Sequence, residues 1–167
     1  MSGLFIQMTG LSGAGKTTLA NTVASKLRKD GFRVEVIDGD EYRKGLCSDL
    51  GFSKQDRNTN IRRLGFVGKV LARNGVVAIM SAINPYEETR RDIEGKIVYI
   101  KCCLDTVIKR DTKGLYAKAL SGEIENFTGI SDPFEEPKLA SLIIETDKEK
   151  EEVSIDKLYK FILQNMA

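Results

Sequence analysis

The chain has 167 residues, enough for one domain with its own core. Its formal net charge of +2 is too small to argue for nucleic acid or a membrane surface as a partner. It contains no histidine, which excludes histidine-based zinc sites and Ser-His triads and leaves acid–base chemistry to carboxylates, lysine or the substrate.

The first predicted element is a short apolar strand at residues 4–9, and it runs directly into Gly10-Leu-Ser-Gly-Ala-Gly-Lys-Thr17. This stretch fits G-x-x-x-x-G-K-[ST]. It is followed by Leu19, Ala20, Val23, Ala24 and Leu27 at helical spacing, with Asp30-Gly31 as the stop. Strand, glycine-rich turn and helix are the context that makes the pattern a phosphate-binding loop. Glycines let backbone N–H groups face a phosphate, and the helix N-terminus adds partial positive charge. The expected contacts to ATP are Gly10, Ser12, Gly13, Ala14, Gly15, Lys16, Thr17 and Thr18, with Lys16 reaching the β- and γ-phosphates and Thr17 ligating Mg²⁺.

A second strand, 32–37, ends at Asp38-Gly39-Asp40. A carboxylate at a strand tip resembles a Walker-B position that helps hold Mg²⁺, the alternative being a surface turn. Residues 41–52 read as an active-site loop with a short helix. Ser53-Lys-Gln-Asp56 has the form of a capping box opening a helix to about residue 74, with Ile61, Leu64, Val67 and Leu71 as its buried stripe. Arg57 and Asn60 share one side of that helix, placed either to grip an anionic second substrate or to form a solvated helix end. Arg62-Arg63 is expected in solvent or in ion pairs.

After Gly75 comes a fully buried strand at 76–80, of the kind found in parallel sheets. The loop Ser81-Ala-Ile-Asn-Pro-Tyr86 leaves its end, so Ser81, Ile83 and Asn84 are expected at a ligand, with Ser81 pointing away from the place Asn84 occupies. A short helix (87–94), a strand (96–101) and a helix (104–110) follow. Residues 111–137 show little periodicity and read as a mobile lid over the nucleotide. A fifth strand (141–146) and a last helix with Ile155, Leu158, Tyr159, Ile162 and Leu163 facing the core complete the chain. Cys47, Cys102 and Cys103 lack metal spacing and fit free thiols in a reducing, cytoplasmic setting; no signal peptide or bilayer-spanning run is expected. The expectation is one doubly wound α/β domain over 1–167, a three-layer P-loop kinase fold with a mainly parallel five-stranded sheet.

Three kinds of P-loop protein compete. Asp92-Ile-Glu-Gly95 matches the D-x-x-G of a GTPase switch, yet it sits at a predicted helix end and no N-K-x-D motif occurs. A non-catalytic nucleotide-binding module has no use for a lid and a second-substrate loop. A small-molecule kinase uses both.

Beyond the P-loop, Asp38-Gly-Asp-Glu-Tyr-Arg43, Asp49-Leu-Gly-Phe-Ser53, Asp56-Arg57 with Asn60-Ile-Arg-Arg63, Arg110-Asp-Thr-Lys-Gly-Leu-Tyr116 and Asn126-Phe-Thr-Gly-Ile130 follow in order along nearly the whole chain. In these motifs the chain resembles the adenylylsulfate kinase family, which phosphorylates the 3′-hydroxyl of adenosine 5′-phosphosulfate (APS) to give PAPS. The resemblance implies ATP and Mg²⁺ as cofactors, a nucleotide as the small-molecule substrate, and a homodimer. It implies that Arg110 contacts the ATP, and that Phe52 and Phe127 sandwich the substrate base. Arg43, Arg57 and Asn60 would hold the phosphosulfate end. Lys113 would neutralise charge at the transferred phosphoryl, Asp38 would place Mg²⁺, and Asp40 would orient the 3′-hydroxyl, the proton acceptor being left open between the two aspartates. The chain departs from the family at Asn84, where serine is usual, at Glu87, where arginine is common, and at Thr112, where the lid usually has proline. These changes leave a second acceptor in view, the cytidine diphosphoramidate phosphorylated at its 3′-hydroxyl by similar enzymes of capsule decoration. The loop 81–84, with Asn84 able both to donate and to accept, is the expected reader of the base edge.

Overall fold

A computed structural model describes residues 2–166. Five strands form one parallel sheet: β1 (Leu4–Thr9), β2 (Val34–Asp38), β3 (Val77–Ser81), β4 (Lys96–Lys101) and β5 (Leu142–Glu145), in the order β2-β3-β1-β4-β5. Between them run α1 (Lys16–Lys29), α2 (Gly39–Tyr42), α3 (Lys54–Arg73), α4 (Glu87–Asp92), α5 (Leu104–Arg110), α6 (Leu115–Leu120) and, last, α7 (Glu151–Asn165). The strand expected at 76–80 extends to Ser81, and the loop expected at 111–137 contains α6.

The sheet is covered on both faces, so its central strands carry no polar alternation. Along β1 the side chains still alternate in direction. Leu4, Ile6 and Met8 pack with Leu19, Val23 and Leu27 of α1 and Leu158 and Ile162 of α7, while Phe5 turns to the opposite core with Ile61 and Leu64 of α3. Close approach of α3 depends on a glycine: a Cβ at Gly68 would lie 2.3 Å from the Phe5 ring. Filling that seat with a methyl group is expected to cost on the order of 1–3 kcal/mol.

The chain winds outward from β1 through α1 to β2, then returns, so β1 lies between β3 and β4. That reversal opens a crevice at the carboxyl ends of β1, β2 and β3, where ligands of such sheets bind. Ser53 caps α3 by accepting from the Asp56 N–H at 3.1 Å, as expected. The reciprocal half of the box is not made, because Asp56 Oδ2 accepts from Gly51 N–H instead and closes the preceding loop. Arg62 and Arg63 form ion pairs with Asp92 and Asp49.

Candidate active site

The phosphate loop is held from behind, carbonyl by carbonyl. Lys16 Nζ donates to Gly10 O at 2.8 Å and Leu11 O at 2.7 Å. Tyr116 OH donates to Ser12 O at 2.7 Å, Arg110 to Gly13 O at 3.3 Å, and Thr146 Oγ1 to Ala14 O at 2.7 Å. In a planar trans peptide the C=O and the following N–H point in opposite directions, so each fixed carbonyl also aims an N–H. Gly15, at φ +101°, takes the left-handed conformation that glycine adopts without strain and starts α1 with no side-chain cap. The N–H groups of the first turn are thus left for an anion. Gly10, expected to touch ATP, does not line the crevice. A Cβ there would lie 2.4 Å from Ile100 O, so its glycine serves backbone packing between β1 and β4.

Lys16 is buried, and burial together with the nearby charge of Lys113 lowers its pKa from 10.5 to about 7, against the opposing pull of Asp40 and Asp38. Beside it lies a set of hard oxygens. Asp38 Oδ1 caps α2 by accepting from Asp40 N–H at 3.0 Å and Glu41 N–H at 3.1 Å, leaving Oδ2 for Thr17 Oγ1 at 2.9 Å. Ser81 Oγ lies 3.1 Å from the same Thr17 hydroxyl. The reason is register: Asp38 and Ser81 are paired residues of β2 and β3. Ser81, expected as a contact of the acceptor loop, belongs to this oxygen cluster instead. Among the described residues no group of three or more His, Cys, Asp or Glu side chains gathers to hold a metal. The donor set therefore suits an ion that keeps waters and phosphate oxygens as ligands, as Mg²⁺ does.

All the expected site residues except Gly10 line one cavity of about 1300 Å³. At its far end Arg43 donates to Leu50 O and Gly51 O and lies 4.4 Å from the Phe52 ring centroid. Arg57 is buried, donating to Phe52 O at 2.9 Å, to Thr128 Oγ1 at 3.1 Å and to Asn126 O. It therefore joins α3 to the segment after α6. Asn60 Oδ1 is buried without a protein partner among the described residues, an acceptor still to be satisfied. Phe127 is buried in the wall and Phe52 stands exposed at the rim, so the two aromatic faces share the cavity from different depths. Lys113 reaches across from the lid to Asp40 Oδ2 at 2.5 Å.

Asn84 is placed otherwise than expected. It adopts φ +48°, a left-handed conformation asparagine tolerates, and its amide is buried with Nδ2 donating to Gln7 Oε1 at 3.0 Å. Its carbonyl accepts from Thr9 Oγ1 and Arg90. Through Nδ2 the side chain thus pins the loop to β1, and its Oδ1 lies buried without a partner among the described residues, while Ile83 O accepts from Gly10 N–H and Thr9 Oγ1.

Several cavity residues lie outside the expected set. Thr146 and Glu149 arrive from the end of β5, and Asn126 and Thr128 flank Phe127. The last two lie within a motif that the sequence does display, but their bonds to Arg57 span 69 and 71 residues. Asp92 of the D-x-x-G match stays on α4, paired with Arg62.

The profile of the family described as Adenylylsulphate kinase matches residues 2–145. The chain belongs to the adenylylsulfate kinase family. It is 52% identical over 151 residues to the adenylyl-sulfate kinase of Chloroflexus aurantiacus, covering 87% of this chain and 81% of that one. It is 48% identical over 163 residues to the probable adenylyl-sulfate kinase of Synechocystis, covering 95% and 92%. A probable bifunctional SAT/APS kinase of Sorangium cellulosum is also 48% identical, but the chain spans only 28% of that protein's length. In structure it resembles the Mycobacterium tuberculosis APS kinase CysC in complex with AMPPNP and APS, with a TM-score of 0.93, 37% identity and coverage of 97% and 98%. Against this family the P-loop kinase fold and its parallel five-stranded sheet are as expected from the sequence.

Proposed function

We propose that this chain is an ATP-dependent phosphotransferase that phosphorylates the ribose 3′-hydroxyl of APS to give PAPS. The observation that carries the reading is that one cavity joins a phosphate loop to a pocket with two arginines and two phenylalanines, with Asp40 and Lys113 also in its wall. It occurs in a chain about half identical to curated adenylyl-sulfate kinases.

The 3′-oxygen attacks the γ-phosphorus of ATP. The new O3′–P bond forms as the bond to the β,γ-bridging oxygen breaks, ADP leaves, and the hydroxyl proton passes to a carboxylate or to solvent. Asp38 is already engaged, by two backbone N–H groups and Thr17, so Asp40 takes the hydroxyl's hydrogen bond. Lys113, now on Asp40, then turns its charge toward the transferred group. Lys16 holds the β- and γ-phosphates, and Arg43, Arg57 and Asn60 hold the phosphosulfate. Mg²⁺ would be held by Thr17 and, through water, by Asp38, where it neutralises phosphate charge. The protein's share of catalysis is positioning and electrostatics, so no strong base is required.

Side-by-side kcat/KM for APS and cytidine diphosphoramidate tests the substrate. Preference for APS is expected; a hundredfold preference for the cytidine compound would overturn the APS assignment while leaving the kinase chemistry standing.

A further inference from the structure

We infer that Tyr116 is a positioning residue that ties the phosphate loop to the aromatic wall of the acceptor pocket. Its side chain makes one contact at each place. The hydroxyl donates to Ser12 O at 2.7 Å, and the ring meets Phe127 edge-on, with centroids 5.0 Å apart and planes at 82°. It is only 2% exposed, so neither contact competes with solvent.

The base of this strut is fixed as well. Asp111 Oδ1 accepts from Tyr116 N–H at 2.9 Å and Asp111 Oδ2 from Ala117 N–H at 3.0 Å, which seats the first turn of α6. Burial pushes the Tyr116 phenol above its ordinary pKa, so it remains a proton donor. Holding Ser12 O toward Tyr116 turns the Gly13 N–H the opposite way, since the two groups share one planar trans peptide. Gly13 lines the cavity, so the phenol sets the direction of a phosphate-facing donor from behind. The ring at the same time fixes the depth of Phe127, whose neighbours Asn126 and Thr128 are held by Arg57. One rigid side chain with two rotatable bonds thus spans from the donor loop to the acceptor wall.

The assignment of Phe127 to the acceptor rests on the APS reading; the bond to Ser12 does not. The test uses the full chain with Tyr116→Phe, which keeps the ring and removes the hydroxyl, and Tyr116→Leu, which removes both contacts. Calorimetry gives the Kd of ADP and, separately, of APS. For Tyr116→Phe the ADP Kd is expected to rise three- to thirtyfold with the APS Kd within twofold of wild type. For Tyr116→Leu both are expected to weaken at least threefold. A merely structural role would instead lower the melting temperature and weaken both ligands in proportion in the Phe variant. An ADP Kd within twofold of wild type in Tyr116→Phe, or an equal loss of both ligands there, overturns the inference. If wild-type protein does not bind APS, the substrate reading has failed, and the ADP measurement on Tyr116→Phe still decides the tether.

Discussion

Binding of ADP should draw a proton onto Lys16. In the ligand-free protein Lys16 is buried, its Nζ donates to two loop carbonyls, and its pKa is lowered to about 7 because burial and the charge of Lys113 outweigh Asp40 and Asp38. A bound diphosphate brings negative charge against Nζ and restores the ammonium. At pH 8, one unit above that pKa, the amine is about nine-tenths neutral, and at pH 6 it is about one-tenth neutral. Uptake should therefore be about 0.9 proton at pH 8 and about 0.1 at pH 6, read as the slope of binding enthalpy against buffer ionisation enthalpy. Lys16→Met, measured at raised ADP concentration, subtracts the nucleotide's own titration. The stability of the ligand-free chain carries the same sign. The unfolded lysine keeps its proton up to about 10.5, so between pH 7 and that value the unfolded chain binds more protons and stability rises with pH. The full span is worth on the order of 5 kcal/mol at most, and Lys16→Met should remove the rise. A slope at pH 8 no different from that of Lys16→Met would refute the reasoning.

Two other outcomes follow from the loops around the cavity. Transfer should be direct, because Asn84 is an amide that forms no phosphoester and is buried on Gln7; incubation with γ-labelled ATP alone should leave no label on the protein, and label that chases into product would show a phosphoenzyme. Hydrogen exchange should divide the lid. The amides of Glu125 and Asn126, on exposed residues and without a hydrogen-bond partner among the described residues, are expected to slow only when both nucleotides bind, while those of 130–132, bonded to Phe127 O, are slow throughout. Equal behaviour of the two stretches would count against a lid that moves on a fixed base.

That division would narrow the lid expected over 111–137 to its first part. Beyond Phe127 the chain is a strap: Glu135 N–H donates to Pro85 O, Tyr99 OH to Glu136, and Phe134 stacks on Tyr99 with centroids 5.8 Å apart. None of these partners is near in sequence, so the stretch looked structureless. The helix α6 was hidden for a different reason. It is six residues long and buries only Tyr116 and Ala119, too few points to reveal a period.

The phosphate loop, by contrast, was legible because its physics is local: glycines, a lysine and a helix start within eight residues. The strands were legible because a parallel sheet covered on both faces needs unbroken apolar runs. Ser81 shows where such local reading stops. A third strand read as ending at residue 80 assigns it to the loop 81–86 as a contact of the acceptor. In fact it is the last residue of β3, in register with Asp38, the last of β2. The strand order sets β2 beside β3 and β3 beside β1, whose end runs into the loop that leads to Thr17 in the first turn of α1. Three hydroxyl and carboxylate groups from separate segments meet there because the strands end level, a property of the assembled sheet that no single segment contains. The same argument covers Thr146. It follows β5, two places from β1 across the sheet, and reaches Ala14 O because the carboxyl ends of the parallel strands β1, β4 and β5 lie on one edge of the sheet.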